Sequence, residues 1–389
     1  MKKFEDFGQK LDNLRDNNLF RRLRTMLSVR GTAVRTAEEP EQEKVLFCSN
    51  NYLNLAEDKR VAEAAVEAIH RYGFGAGASR LISGTILPHT RLEEEFARWV
   101  GKEKSLYFPS GWSANQSILT TLPQKGDLVL MDHRSHASIV DAVRNSGADF
   151  RTYRNEQDKR LARQLAEPKY RRKYIVTESV FSMDGDWARL EILAELRERY
   201  DAVLILDEAH GLGCFGPTGA GLAEEMGLLE KVDVFTAPLG KAVGCAGALV
   251  ASNSLLIDYL INCARPFIYT TAAPPSCAAG ALAAIQIIQN EPKRRRHLQE
   301  NAAYLRQRLK QMGLNIGQTS SQIVPVIVGS SEKALQWAQQ LEAKGYFITA
   351  IRPPTVPSGS ARLRISVQYG HTKGQIDGLC AAIQELAAQ

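Results

Sequence analysis

Three segments of this 389-residue chain end an apolar run on a residue able to do chemistry. Val203-Leu204-Ile205-Leu206 runs into Asp207, with His210 three residues further on. A carboxylate placed there is costly to bury unless a cation or a hydrogen-bond donor meets it. Thr236-Ala237-Pro238-Leu239-Gly240 leads to Lys241 among small and apolar neighbours. A buried lysine shifts its pKa readily, the property on which covalent chemistry with a carbonyl group depends. Ser105–Phe108 precedes Ser110-Gly111-Trp112-Ser113-Ala114-Asn115, where small residues let backbone N–H groups and a helix N-terminus approach a phosphate. Each segment alone has a plain structural reading: Asp207 as a helix cap, Lys241 as an exposed loop lysine, Ser110-Gly111 as a turn. Together they place polar residues where strands end, which is where open parallel sheets gather their sites.

The elements that must position these residues follow from periodicity. Helical patterns alternate with the short apolar runs Ser105–Phe108, Leu128–Met131, Tyr174–Thr177, Val203–Leu206, Val234–Thr236 and Ala248–Val250. Such alternation predicts an α/β fold with a mostly parallel sheet covered by helices on both faces. Phe4, Phe7, Leu11, Leu14, Leu19 and Leu23 recur at helical spacing and predict an amphipathic helix over residues 1–30. After about residue 285 the texture changes: a charged helix to Met312, then Ile323–Val328, another helix, Phe347–Ile351, Arg362–Val367 and a closing helix. The expected division is an N-terminal helical segment 1–48, a large α/β domain 49–285 and a small α+β domain 286–389.

Composition narrows the function. The chain is 44% hydrophobic and 24% charged, as ordinary globular proteins are. Aromatic residues at 7% argue against a stacking platform for single-stranded nucleic acid. The formal charge of +6 is compatible with an anionic substrate of the CoA type. Lys293-Arg294-Arg295-Arg296, the densest basic run, reads as a solvated helix start or an anion contact. Six scattered cysteines with no C-x-x-C pair argue against a zinc site or a disulfide framework. No apolar run reaches transmembrane length and the start shows no signal region, so a cytoplasmic protein without membrane partners is expected.

Three motifs mislead. Asp207-Glu208-Ala209-His210 matches an acidic helicase box, but Gly240-Lys241 has Phe235 and Ala242 where a phosphate loop needs glycine and Ser or Thr. Gly211, Gly213 and Gly216 match a dinucleotide fingerprint, yet Asp207–His210 separate them from the strand and Pro217 follows, so a turn is expected. His133 and His136 lack a third ligand nearby, and no metal is expected.

Taken in order, further segments carry a family likeness: Ser49-Asn50-Asn51-Tyr52-Leu53, Gly75-Ala76-Gly77-Ala78-Ser79-Arg80, Ser110–Asn115, Ser135-His136-Ala137-Ser138, Thr177–Asp186, Asp207–Gly211 and Gly240-Lys241. From about Arg21 to the C-terminus the chain resembles the fold-type I pyridoxal-phosphate enzymes, and within them the α-oxoamine synthases. The resemblance implies pyridoxal 5'-phosphate as cofactor and condensation of an amino acid with an acyl thioester, with loss of carbon dioxide. Ile351–Pro357 and Ala361-Arg362-Leu363-Arg364 resemble most the members that join L-alanine to pimeloyl-CoA, or to a pimeloyl carrier protein, in biotin synthesis.

The same resemblance assigns roles. Lys241 bonds the cofactor covalently and later takes the Cα proton; Asp207 pairs with the ring nitrogen, His136 stacks on the ring, and His210 and Ser182 bond its phenolic oxygen. Ser110, Gly111 and Trp112 lie at the phosphate. Arg364 and Asn50 hold the amino-acid carboxylate, with His136 at the substrate as well, and Arg21 and Thr355 contact the acyl substrate. A homodimer with its site built across the two-fold is implied. One departure stands out: Pro238 occupies a position where the family carries a hydroxyl for the phosphate, so Thr236, or Thr270 and Thr271 of a second subunit, is expected to replace it. Sister condensations (glycine with acetyl-CoA, or another amino acid with another acyl-CoA) are the nearest alternative, and a non-catalytic partner subunit is the alternative of a different class. An aminotransferase shares the fold, but the Ser135–Ser138 and Arg352–Pro357 segments argue against it.

Overall fold

The computed structural model describes residues 2–155 and 157–388. Its contacts divide the chain into two compact units, one of Asn50–Ser182 with Asp186–His297, the other of Met1–Ser49, Met183–Gly185 and Leu298–Gln389. In chain order the strands are β1 (Met26–Arg30), β2 (Ala33–Thr36), β3 (Glu39–Leu46), β4 (Lys104–Phe108) and β5 (Leu128–Asp132). Then follow β6 (Asp149–Tyr153), β7 (Lys173–Glu178), β8 (Val203–Asp207), β9 (Val234–Pro238) and β10 (Ala248–Ser252). The last are β11 (Ile323–Gly329), β12 (Tyr346–Phe347), β13 (Thr349–Ile351) and β14 (Ala361–Ser366).

The larger unit is built on a seven-stranded sheet in the order β4-β10-β9-β8-β7-β5-β6. Only β10 runs against its neighbours; β9, β8, β7, β5 and β6 pair in parallel. The mostly parallel α/β architecture expected from the alternating runs is the one present. One face of this sheet carries Val176, Ile205, Val234 and Val250 in a core closed by Ala114, Ile118 and Leu119 of helix Gly111–Thr121 and by Ile139, Ala142 and Val143 of helix Ala137–Arg144. Because strand side chains alternate faces, Glu178, Asp207 and Thr236 fall on that same face, one step beyond the apolar core. They stand in register, Glu178 opposite Asp207 and Asp207 opposite Thr236.

The glycine-rich segment after β8 forms turns and not a helix. Glu208, fully enclosed, accepts the Ser179 hydroxyl at 2.5 Å and the Ala223 amide at 2.8 Å. A Cβ at Gly211 would lie 1.8 Å from its Oε2, and one at Gly221 2.6 Å from its carboxyl carbon. The spacing that imitates a dinucleotide motif thus makes room for a buried glutamate.

In the smaller unit, β1, β2, β3 and β12 form one sheet and β11, β14 and β13 another. The N-terminal helix is shorter than its apolar spacing predicts: it spans Glu5–Asp16 and stops where Asn18 turns left-handed at φ 56°. Leu23 is fully exposed and Met26–Arg30 is a strand. The division also differs from the expected 1–48, 49–285 and 286–389. The N-terminal strands join the C-terminal unit because β3 pairs in parallel with β12, Val45 opposite Tyr346, and Phe47 stacks on His371 at 4.1 Å. Helix Pro275–Asn290 stays with the larger unit, packed on the helices Lys59–Tyr72 and Leu87–Trp99.

Candidate active site

Asp207 closes β8 and is 5% exposed. Its Oδ2 accepts the Asn115 amide at 3.0 Å and its Oδ1 the Ala209 backbone N–H at 2.9 Å. Asn115 reaches it from the first turns of helix Gly111–Thr121 and donates equally to Ser138 Oγ at 3.0 Å. Ser138 in turn meets His136 Nδ1 through its hydroxyl, at 2.9 Å, and through its backbone N–H, at 3.2 Å. A ring nitrogen that accepts a backbone N–H holds no proton there, so neutral His136 carries its hydrogen on Nε2. Burial, with the Lys241 charge second, pushes the His136 imidazole below its ordinary range, which favours that neutral form. The His136 backbone N–H donates to Glu178 Oε1 at 2.6 Å, closing a chain of contacts from Asp207 through Asn115, Ser138 and His136 to the next strand end.

Lys241 follows β9 on a half-buried turn, in which the Gly244 N–H donates to the Lys241 carbonyl at 2.9 Å. Gly244 has φ 71°, and a Cβ there would meet the Ala56 nitrogen at 2.4 Å, so only glycine permits the turn. The Lys241 ammonium lies within electrostatic reach of both His136 and Glu178. His210, buried beyond Asp207, pairs through Nδ1 with Tyr52 Oη at 2.7 Å, and Tyr52 donates to Asn50 at 3.0 Å. Ser182 lies in the turn closed by the Phe181 N–H on the Asp186 carbonyl at 3.0 Å.

Helix Gly111–Thr121 opens on a Ser110 cap, whose hydroxyl accepts the Ser113 N–H at 3.1 Å while Ser113 returns the favour to the Ser110 amide. Such a cap contributes about 1 kcal/mol and leaves the Gly111 and Trp112 amides pointing outward at the positive end of the helix dipole. A Cβ on Gly111 would strike the Pro238 ring at 2.8 Å, so glycine brings the helix start against the end of β9. The exposed Trp112 indole stands edge-on to His136 at 6.4 Å. Thr236 is fully buried and its Oγ1 has no hydrogen-bond partner. Thr270 and Thr271 lie on a separate segment, where Thr271 bridges Ser79.

The remaining expected residues belong to the smaller unit. Arg364, buried on β14 opposite Thr349, donates to Ser366 Oγ at 2.8 Å. Arg21 and Thr355 are exposed. Burial, and after it the nearby Arg21 charge, holds the Arg352 guanidinium below its ordinary range, so two cations sit close together there. Sequence reasoning passed over Glu178, Ser138, Tyr52 and Arg352 as individual contributors, and Asn115 appeared only as part of a helix start.

The family model described as aminotransferase class I and II matches residues 42–383. An 8-amino-7-oxononanoate synthase of Anaeromyxobacter dehalogenans is 45% identical over 339 residues, which cover 87% of this chain and 85% of that protein. Serine palmitoyltransferase from S. paucimobilis, solved with a PLP–myriocin adduct, superposes with a TM-score of 0.93 at 31% identity, covering 100% of this chain and 98% of that one. An 8-amino-7-oxononanoate synthase structure from Francisella tularensis gives 0.78 at 29% identity, covering 89% and 98%. The chain belongs to the class I and II aminotransferase family and, within it, to the α-oxoamine synthases.

Proposed function

We propose that this chain is a pyridoxal-phosphate enzyme that joins L-alanine to a pimeloyl thioester, releasing the thiol and carbon dioxide and forming 8-amino-7-oxononanoate for biotin synthesis. The observation that carries the reading is the enclosed Asp207 carboxylate, both oxygens matched to N–H donors, with Lys241 on the turn that follows the neighbouring strand. The identity to named synthases supports the same reaction.

The residues fit the cofactor. A buried carboxylate suits a protonated ring nitrogen, the capped helix start suits a phosphate, and the unpartnered Thr236 hydroxyl stands opposite Asp207, two residues before Pro238 on β9. When bound, pyridoxal phosphate supplies a conjugated ring that stabilises the charge left at the amino-acid Cα. Asp207 keeps a proton at the ring nitrogen, and Asn115 and the Ala209 amide keep Asp207 in place. His136 offers the exposed face of its imidazole, held still by Ser138. The Gly111 and Trp112 amides, with Ser110, bind the phosphate, and Ser182 and His210 bond the phenolic oxygen. Arg364 takes the amino-acid carboxylate, for which guanidinium geometry is suited. Lys241 removes the Cα proton. Over the cycle Cα bonds to the thioester carbonyl carbon and the C–S bond breaks, its electron pair leaving with the thiol. The Cα–carboxylate bond then breaks to give carbon dioxide, its electron pair stays at Cα, and Lys241 returns a proton there.

The test is direct. Cofactor-loaded protein is incubated with pimeloyl-CoA and, separately, L-alanine, glycine or L-serine, with mass spectrometry of the amino ketone and a thiol assay. Product with L-alanine alone supports the reading. Turnover only with acetyl-CoA and glycine, or with palmitoyl-CoA and L-serine, keeps the chemistry and overturns the substrates.

Arg21 and Arg352 form the cation pair suited to the distal carboxylate of a pimeloyl chain, beside Thr355. Arg21→Ala is expected to raise KM for pimeloyl-CoA about tenfold, with kcat and the KM for L-alanine nearly unchanged, as loss of uniform binding through one charge-assisted contact implies. An unchanged KM in steady-state kinetics removes Arg21 from the acyl site. For the phosphate, Thr236 replaces the hydroxyl that Pro238 lacks. Thr236→Val is then expected to speed cofactor loss on gel filtration by about fivefold, the worth of one hydrogen bond; no change would pass the role to Thr270 and Thr271 of a second subunit.

A homodimer fits the exposed apolar Leu81, Ile82 and Tyr269 beside the Ser79–Thr271 bridge. Sedimentation is expected to give twice the 43.1 kDa of one chain. No helix among the described residues is long and apolar enough to cross a membrane.

A further inference from the structure

Glu178 is a buried carboxyl that the reaction described above does not use. It is 2% exposed, stands in register with Asp207 on the adjoining strand, and holds the His136 backbone N–H at 2.6 Å. Two adjacent carboxyls in a dry row do not both ionise, because each negative charge disfavours the other. Asp207 has both oxygens matched to N–H donors, the pattern of an acceptor-only carboxylate. The proton shared by the row therefore belongs on Glu178. We propose that Glu178 is a positioning residue held as a neutral carboxylic acid, tying the His136 backbone to the end of β7 without placing a second negative charge beside Asp207.

The groups that face it come from four elements. Burial is the largest influence and raises its pKa, as does Asp207 on β8; Lys241 after β9 and the His136 amide oppose, and Asp132 on β5 adds to the rise. Together they push the Glu178 carboxyl up to about 8. The proposal rests on the reading of Asp207 as the anion at the cofactor nitrogen, and a melting measurement separates it from the reaction itself.

The folded chain keeps the Glu178 proton up to about pH 8, whereas an ordinary glutamate releases it near 4.5. Between those values the folded state binds more protons, so stability falls as pH rises, and a glutamine at this position removes that slope. The melting-temperature advantage of full-length Glu178→Gln over the parent, loaded and cofactor-free, is therefore expected to widen steadily across that window; Glu208 acts equally in both proteins and cancels. A gap that stays constant, or a Gln variant destabilised throughout, overturns the proposal. Kinetics give a second reading. Glu178→Gln, which still accepts the His136 N–H, is expected to keep kcat within about threefold, while Glu178→Ala loses about tenfold by orphaning that amide. Equal losses in both variants overturn the positioning role. Should the variants fail to fold, the parent protein's infrared carbonyl band for a neutral carboxylic acid must titrate near 8; its absence at neutral pH overturns the proposal as well.

Discussion

Lys241→Ala is expected to lower the rate of condensation by about 10⁴-fold or more and to abolish the visible absorbance that accompanies covalent attachment of the cofactor. Two jobs converge on this amine. In the proposed reaction it would hold the cofactor and take the Cα proton; a positioned general base alone contributes about 10²–10⁴-fold. The surroundings suit both. Lys241 is half-buried at the end of a glycine-dependent turn and lies near His136 and Glu178, which the structure favours in their neutral forms. Cofactor should still bind the variant weakly through the Gly111–Trp112 amides and Asp207. Equilibrium dialysis separates that residual binding from turnover. Condensation surviving within tenfold of the parent would move the proton transfer to another residue.

How much of this was legible beforehand differs by level. The apolar runs ending in Asp207 and Lys241 marked two adjacent strand ends, β8 and β9, because a parallel sheet buried on both faces leaves nearly continuous apolar sequence and an abrupt polar stop. Glu178 also ends such a run, after Tyr174-Ile175-Val176-Thr177, but its partnership with Asp207 depends on β7 lying next to β8, and strand order is not written in local pattern. Ser138 and Tyr52 were hidden for a related reason: their hydroxyls act through His136 and His210, and nothing in a lone serine or tyrosine announces a histidine partner. The helix expected over residues 1–30 failed at Asn17-Asn18, where a left-handed asparagine ends the helix and frees Met26–Arg30 to pair as a strand. The unit boundary was missed because β3 and β12, some three hundred residues apart in the chain, complete one sheet.

Pro238 shows how a local departure is absorbed. Its ring fills the space that Gly111 leaves, so the helix start and the end of β9 meet by packing. The row Glu178, Asp207 and Thr236 then presents a neutral acid, an anion and a hydroxyl in succession across three neighbouring strands. That gradient places the single negative charge at its centre.

Asp207→Asn should therefore be the second most damaging substitution, lowering kcat by about 10²–10³-fold while leaving the fold intact. The change keeps the shape of the side chain but removes the charge proposed to keep a proton on the cofactor nitrogen, and breaking a buried ion pair costs about 3–5 kcal/mol. The local hydrogen bonds worsen the loss. Asn115 and the Ala209 amide both donate to Asp207, one to each oxygen. An asparagine offers one acceptor and one NH₂ group, so one of these buried donors faces another donor and goes unmatched. Asn115→Ala supplies the comparison: it removes one of the two donors, leaves the charge, and should cost only about tenfold. Steady-state kcat with saturating L-alanine and pimeloyl-CoA reads both variants, and absorbance confirms that each retains cofactor on Lys241. If Asp207→Asn falls no further than Asn115→Ala, the charge at this position is not what drives the chemistry, and Asp207 is only a structural anchor for the start of helix Gly111–Thr121.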